Sequence, residues 1–126
     1  MISLEKLDNN NMEFLEKSIH HLEATGFEGI KADIEGYETP KSYLKKGSDI
    51  KITPDIVALK NGMKYFFEIS LKSEKPLLLK SKWLFLDALS RMKSNRFRII
   101  TTKGHYKFTE NMLDDINLTN KTPIRI

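Results

Sequence analysis

Apolar and polar positions along the chain change period several times, and each change marks an element. Met12, Leu15, Ile19 and Leu22 recur at helical spacing, with Glu13, Glu16, His20 and Glu23 on the other side, so residues 12–25 are predicted to form an amphipathic helix. Asn9 to Asn11 offer N-caps and Gly26 a C-cap. A short strand is expected near Gly29 to Ile34, followed by a turn-rich, charged loop over 35–49. Two β-rich runs then flank Asn61-Gly62, the strongest short hairpin signal in a sequence. Residues 76–92 read as an apolar helix with Lys80, Lys82, Asp87 and Arg91 at polar positions, and Arg96 to Thr102 as a strand. Phe108 to Asn117 reads as a short helix, and the terminal PIRI as an edge strand. The order αβββαβα, with no repeat and no linker, predicts one α/β domain over 1–126, a mixed sheet with helices on its faces.

The hairpin carries chemistry. A two-residue Asn-Gly turn pairs Lys60 with Met63, and the same register sets Val57 opposite Phe66 and Asp55 opposite Glu68. Continued outward, it pairs Thr53 with Ser70 and Lys51 with Lys72. Directly opposed residues hold their Cβ atoms about 4.5–5.5 Å apart. Two carboxylates so placed repel, and a divalent metal, a shared proton or a nearby ammonium must offset the repulsion. Hard oxygens without cysteine or well-spaced histidine favour Mg²⁺ or Mn²⁺ over zinc. A second arrangement also satisfies the spacing: Asp55 caps a turn after Pro54 while Glu68 faces solvent across a bulge.

Composition narrows the classes. The 126 residues suit a single domain with a real core, and they exclude a TIM barrel. Zero cysteine removes disulfides, thiolate metal sites and cysteine nucleophiles. No apolar run reaches the roughly 18 residues of a membrane span, and the first residues lack a signal-peptide layout, so a cytoplasmic protein without a membrane anchor is expected. The net charge of +4 is unevenly spread. Residues 1–38 carry nine acids against three Lys, whereas residues 71–108 carry ten Lys or Arg against Glu74 and Asp87. A polyanionic partner would meet the second half, although a solvated helix face has the same composition. His20 and His21 point about 100° apart on a helix, which is poor ligand geometry. Trp83, Phe85 and Leu86 suit packing of a helix on the sheet, and Tyr37 and Tyr43 are the better base-stacking candidates.

Pro54-Asp55, twelve residues, then Glu68-Ile69-Ser70 resembles the PD-(D/E)XK nuclease signature. More narrowly, TPDIVALKNGMKYFFEIS is similar to the corresponding stretch of archaeal-type Holliday junction resolvases and their phage relatives, and the likeness runs over roughly residues 12–117. The resemblance implies a three-layer restriction-endonuclease-like fold and hydrolysis of DNA phosphodiesters, with branched or structured duplex as the substrate class. It implies that Asp55, Glu68 and the Ile69 carbonyl hold Mg²⁺ or Mn²⁺, that Glu16 (or Glu13) approaches from the first helix, and that the protein acts as a homodimer. DNA would be held by its phosphate backbone through Lys51, Lys80, Lys82, Arg96, Arg98 and Lys103. The chain departs from the family at one point. The motif lysine, two residues after Glu68, is Ser70, and a neutral hydroxyl stabilises developing charge less well. Lys72 and Lys51 are near in register, and Lys80 or Lys82 could project from the next helix, as in superfamily members whose lysine has migrated. Each also reads as a surface charge. A nuclease-like domain that binds nucleic acid or protein without cutting is therefore the alternative reading.

Overall fold

The computed structural model describes residues 2–3 and 12–126; the N-cap candidates Asn9 to Asn11 lie outside them. Its elements in chain order are β1 (Ile2–Ser3), α1 (Met12–Ala24), β2 (Glu28–Ala32), β3 (Tyr43–Leu44), β4 (Ile50–Ile52), β5 (Ile56–Lys60), β6 (Met63–Ser70), α2 (Pro76–Met92), β7 (Arg96–Thr101), α3 (Tyr106–Asp115) and β8 (Ile124–Arg125). The main sheet has the order β2-β5-β6-β7-β8, antiparallel through β6 and parallel from β6 to β8. It is a mixed sheet in an α/β domain, as the hydrophobic pattern predicts.

The hairpin at its centre follows from two residues. Asn61 and Gly62 both take positive φ, 52° and 78°, the backbone a type I′ turn demands. That turn pairs Lys60 with Met63, and the ladder runs on to Val57 with Phe66 and Ile56 with Phe67. Strand β6 is then buried on both faces, since α2 is the crossover that returns the chain parallel to it as β7. Alternate side chains part to opposite sides. Val57, Phe66, Phe97 and Ile99 pack against Trp83, Leu86, Met112 and Leu113 of α2 and α3. Ile56, Ala58, Phe67 and Ile100 pack against Leu15, Ile19 and Leu22 of α1. Helices thus cover both faces of the sheet.

The structure departs from the pattern in the first β-rich run. It breaks into β4 and β5, which lie in different sheets: β4 belongs to a small sheet ordered β1-β4-β3. The break falls at Thr53-Pro54-Asp55, where proline has no N–H to give a ladder. The expected pairs of Thr53 with Ser70 and Lys51 with Lys72 therefore do not form, and Lys51 pairs with Ser3 and Leu44 instead. The turn-rich loop contains β3, which the sequence pattern does not reveal because it is two residues long. Helix α2 matches its expected span, while α3 starts two residues earlier than expected.

Candidate active site

Asp55 stands at the bend where the chain leaves the small sheet for the hairpin, and Glu68 lies on central strand β6. The register carries them together, and hydrogen bonds lock them. The Asp55 amide donates to Glu68 Oε2 at 2.8 Å, and the Ile69 amide donates to Asp55 Oδ2 at 2.9 Å. One oxygen of each carboxylate is thus held by the other's backbone neighbourhood, leaving Asp55 Oδ1 and Glu68 Oε1 to converge. The Lys82 ammonium from α2 sits between them, 3.3 Å from Asp55 Oδ1 and 3.1 Å from Glu68 Oε1. Glu68 is wholly buried, and the Lys82 and Asp55 side chains are 4% and 9% exposed.

Burial first, and the neighbouring Asp55 charge second, push the Glu68 carboxyl up to about 8 against the pull of Lys82. Burial works against the Lys82 charge too, but Asp55 and Glu68 outweigh it and raise its pKa above the usual value. These two shifts describe one charge state. The ammonium stays protonated, and Glu68 keeps its proton towards neutral pH, which limits the net charge buried in the core.

The site opens into a cavity of about 280 Å³ lined in part by Asp33, Ser42, Lys51, Thr53 and Asp55, with Lys82 at its wall. Lys51 is therefore at the site, though not as a strand partner of Lys72. Ile69 enters through its amide. Ser70 does not face the carboxylates. Its buried hydroxyl is 2.7 Å from that of Thr109 on α3, and Thr109 in turn is 3.1 Å from the Thr101 hydroxyl on β7. Lys72 is exposed and takes part through its backbone, donating to His105 Nδ1 at 2.9 Å. Glu16 is exposed on α1 and lies towards Tyr37, whose hydroxyl pKa is raised by burial, by Glu23 and, least, by Glu16. Lys80 is paired with Asp115 at 2.9 Å. Arg96 and Arg98 line a different pocket, where Arg98 donates to the Thr122 carbonyl, and Lys103 is exposed in the turn before α3.

Asp33 is the residue that sequence reasoning missed. Strand β2 ends at Ala32, paired with Ile56, and the next residue, Asp33, lines the same cavity as Asp55. An acid one residue before the end of the strand expected near Gly29 to Ile34 is the available signal. Among the described residues, no three carboxylate or histidine groups are close enough to form a complete metal cage. The donor set still suits a hard cation. Mg²⁺ keeps several waters and needs only one or two carboxylates, and the buried Glu68 Oε1 has the Lys82 ammonium, 3.1 Å away, as its contact. No family model, curated protein or solved structure matches the chain.

Proposed function

We propose that the chain is a metal-dependent DNA endonuclease of restriction-endonuclease-like fold, in which Lys82 does the work of the lysine that Ser70 replaces. The observation that carries this reading is the Lys82 ammonium resting on both Asp55 and Glu68. A charged amine at the carboxylate pair is what the resemblance demands and what position 70 lacks. Asp55 Oδ1 and Glu68 Oε1 are the residues' contribution to a divalent cation site, with Lys82 giving way along the cavity wall. The cation, when bound, supplies charge neutralisation at a phosphate and a water of lowered pKa. Lys82, held protonated, stabilises the negative charge that develops on the phosphoryl oxygens and orients the attacking water, and it is not a base. Backbone contacts from the basic second half hold the strand without reading its sequence.

The test is cleavage of supercoiled plasmid and of a four-way junction in Mg²⁺ or Mn²⁺. Wild type cuts, and Asp55→Asn, Glu68→Gln and Lys82→Met each lose at least about 100-fold, the size of loss seen when one stabilising donor is removed from an active site. Cutting at full rate by these variants would refute the assignment. The homodimer carried by the resemblance is tested by sedimentation velocity on the 14.6 kDa chain.

One observation favours a second reading. The ammonium already satisfies both carboxylates, as in a purely structural ion cluster. A nuclease-like domain that binds DNA without cutting would show salt-sensitive affinity and no metal-stimulated cleavage.

A further inference from the structure

Three lysines outside the carboxylate site converge on one pair of aromatic rings. Lys41 Nζ lies 5.5 Å and Lys93 Nζ 6.0 Å from the Tyr43 ring centre, and Lys64 Nζ lies 5.6 Å from that of Phe66. The two rings meet edge to face, 5.9 Å apart. None of the three amines forms an ion pair among the described residues, whereas Lys31 beside them is paired with Glu38 at 3.7 Å. The charges feel each other: the Lys64 pKa is lowered by burial first and then by Lys31, Lys93 and Lys41. Like charges gathered without a carboxylate repel, and ring faces offset this only modestly, by about 0.5–1 kcal/mol at an exposed site. A polyanion would neutralise them.

The patch adjoins the cavity. Ser42, between Lys41 and Tyr43 in the chain, lines the cavity and hydrogen-bonds Thr53, two residues before Asp55. Lys64 precedes Glu68 by four residues on β6, about 13 Å of strand. That is about four nucleotide steps at 3.4 Å of rise along a duplex.

We infer that Lys41, Lys64 and Lys93 form a phosphate-binding patch that holds the backbone of a DNA duplex several nucleotides from the carboxylate site. This rests on the reading of DNA as the partner and adds three residues to it. Tyr43 and Phe66 act as the platform that keeps the amines together, with the Tyr43 face occupied by lysine rather than open to a base.

The experiment is fluorescence anisotropy of a fluorescein-labelled 30-base-pair duplex in EDTA, over a range of salt concentrations. Each phosphate contact contributes about 0.9 to the slope of log affinity against log salt. The K41Q/K64Q/K93Q variant should lose about 2–3 of that slope, so that between 50 and 200 mM salt its affinity falls about 40-fold less than that of wild type. A control variant, K17Q/K45Q/K46Q, removes the same charge at exposed positions outside both the patch and the basic second half, and should lose less than one. The K41R/K64R/K93R variant should restore the slope. If the triple glutamine variant fails to fold by circular dichroism, K41Q and K93Q, both at exposed positions, should each lose about one. Duplex binding by wild type with an unchanged slope in the patch variants overturns this inference alone. An equal loss in the control also overturns it, because net charge would then explain the effect. No duplex binding by wild type overturns the DNA reading itself.

Discussion

Lys82 brings a nearly whole side chain into the core to place one charge, and the cost of removing it is set by what it leaves behind. Asp55 and Glu68 would remain together without their cation. Breaking a buried pair by deleting one partner costs roughly 3–5 kcal/mol. Lys82→Met, which keeps the volume, should lose about that much in urea unfolding at pH 8 and less at pH 5, where Glu68 holds its proton. Glu68 gives a second prediction. Folding raises its carboxyl from 4.5 to about 8, so the folded state binds that proton more tightly than the unfolded one. Its stabilising contribution is full below about pH 4.5 and is lost as pH rises through about 8. Melting temperature should therefore fall more steeply from pH 5 to 8.5 in wild type than in Glu68→Gln, which mimics the protonated acid. Parallel profiles would refute the raised pKa.

At the scale of elements, the hairpin decides whether the site exists. Gly62 has φ 78° and open space at its Cβ position, so the cost of Gly62→Ala is conformational alone. It should destabilise by about 1–2 kcal/mol, the penalty of a left-handed L-residue, read as a shift in urea midpoint. Ser70 belongs to a different joint, where β6, β7 and α3 meet through buried hydroxyls. Ser70→Lys, although it would complete the nuclease signature that the sequence resembles, should not raise cleavage and should destabilise by more than about 3 kcal/mol, because an ammonium would be buried where only hydroxyls stand. Legibility in the sequence followed the same divisions. Asn61-Gly62 is local, and it carried the hairpin register and the meeting of Asp55 with Glu68. The period of residues 76–92 gave α2 its true ends. What local pattern could not carry was the hand-over of the chain at Pro54, since two- and three-residue strands have no period to detect. Nor could it choose Lys82 over Lys80, because which lysine turns inward depends on how α2 packs on the sheet.

Across the whole molecule, the uneven charge of the chain becomes a difference between layers. Helix α1 exposes Glu13, Glu16 and Glu23, while Lys93, Arg91 and Arg96 gather where α2 ends and β7 begins. A cation bound only by the folded state stabilises all of it, by about 2.7 kcal/mol at a hundredfold excess over Kd. Mn²⁺ should thus raise the melting temperature of wild type but not of Asp55→Asn, measured by differential scanning fluorimetry; an equal rise in both would place the ion elsewhere. The position of the Lys82 amine adds a last consequence. Many metal sites leave a fold dependent on its ion, so that chelation unfolds it. Here the chain carries its own substitute, tethered by four methylenes and always present. On the proposed reading, a divalent ion would have to displace the Lys82 amine rather than fill a gap. Such a protein would be insensitive to chelator in its fold while remaining sensitive to it in its chemistry.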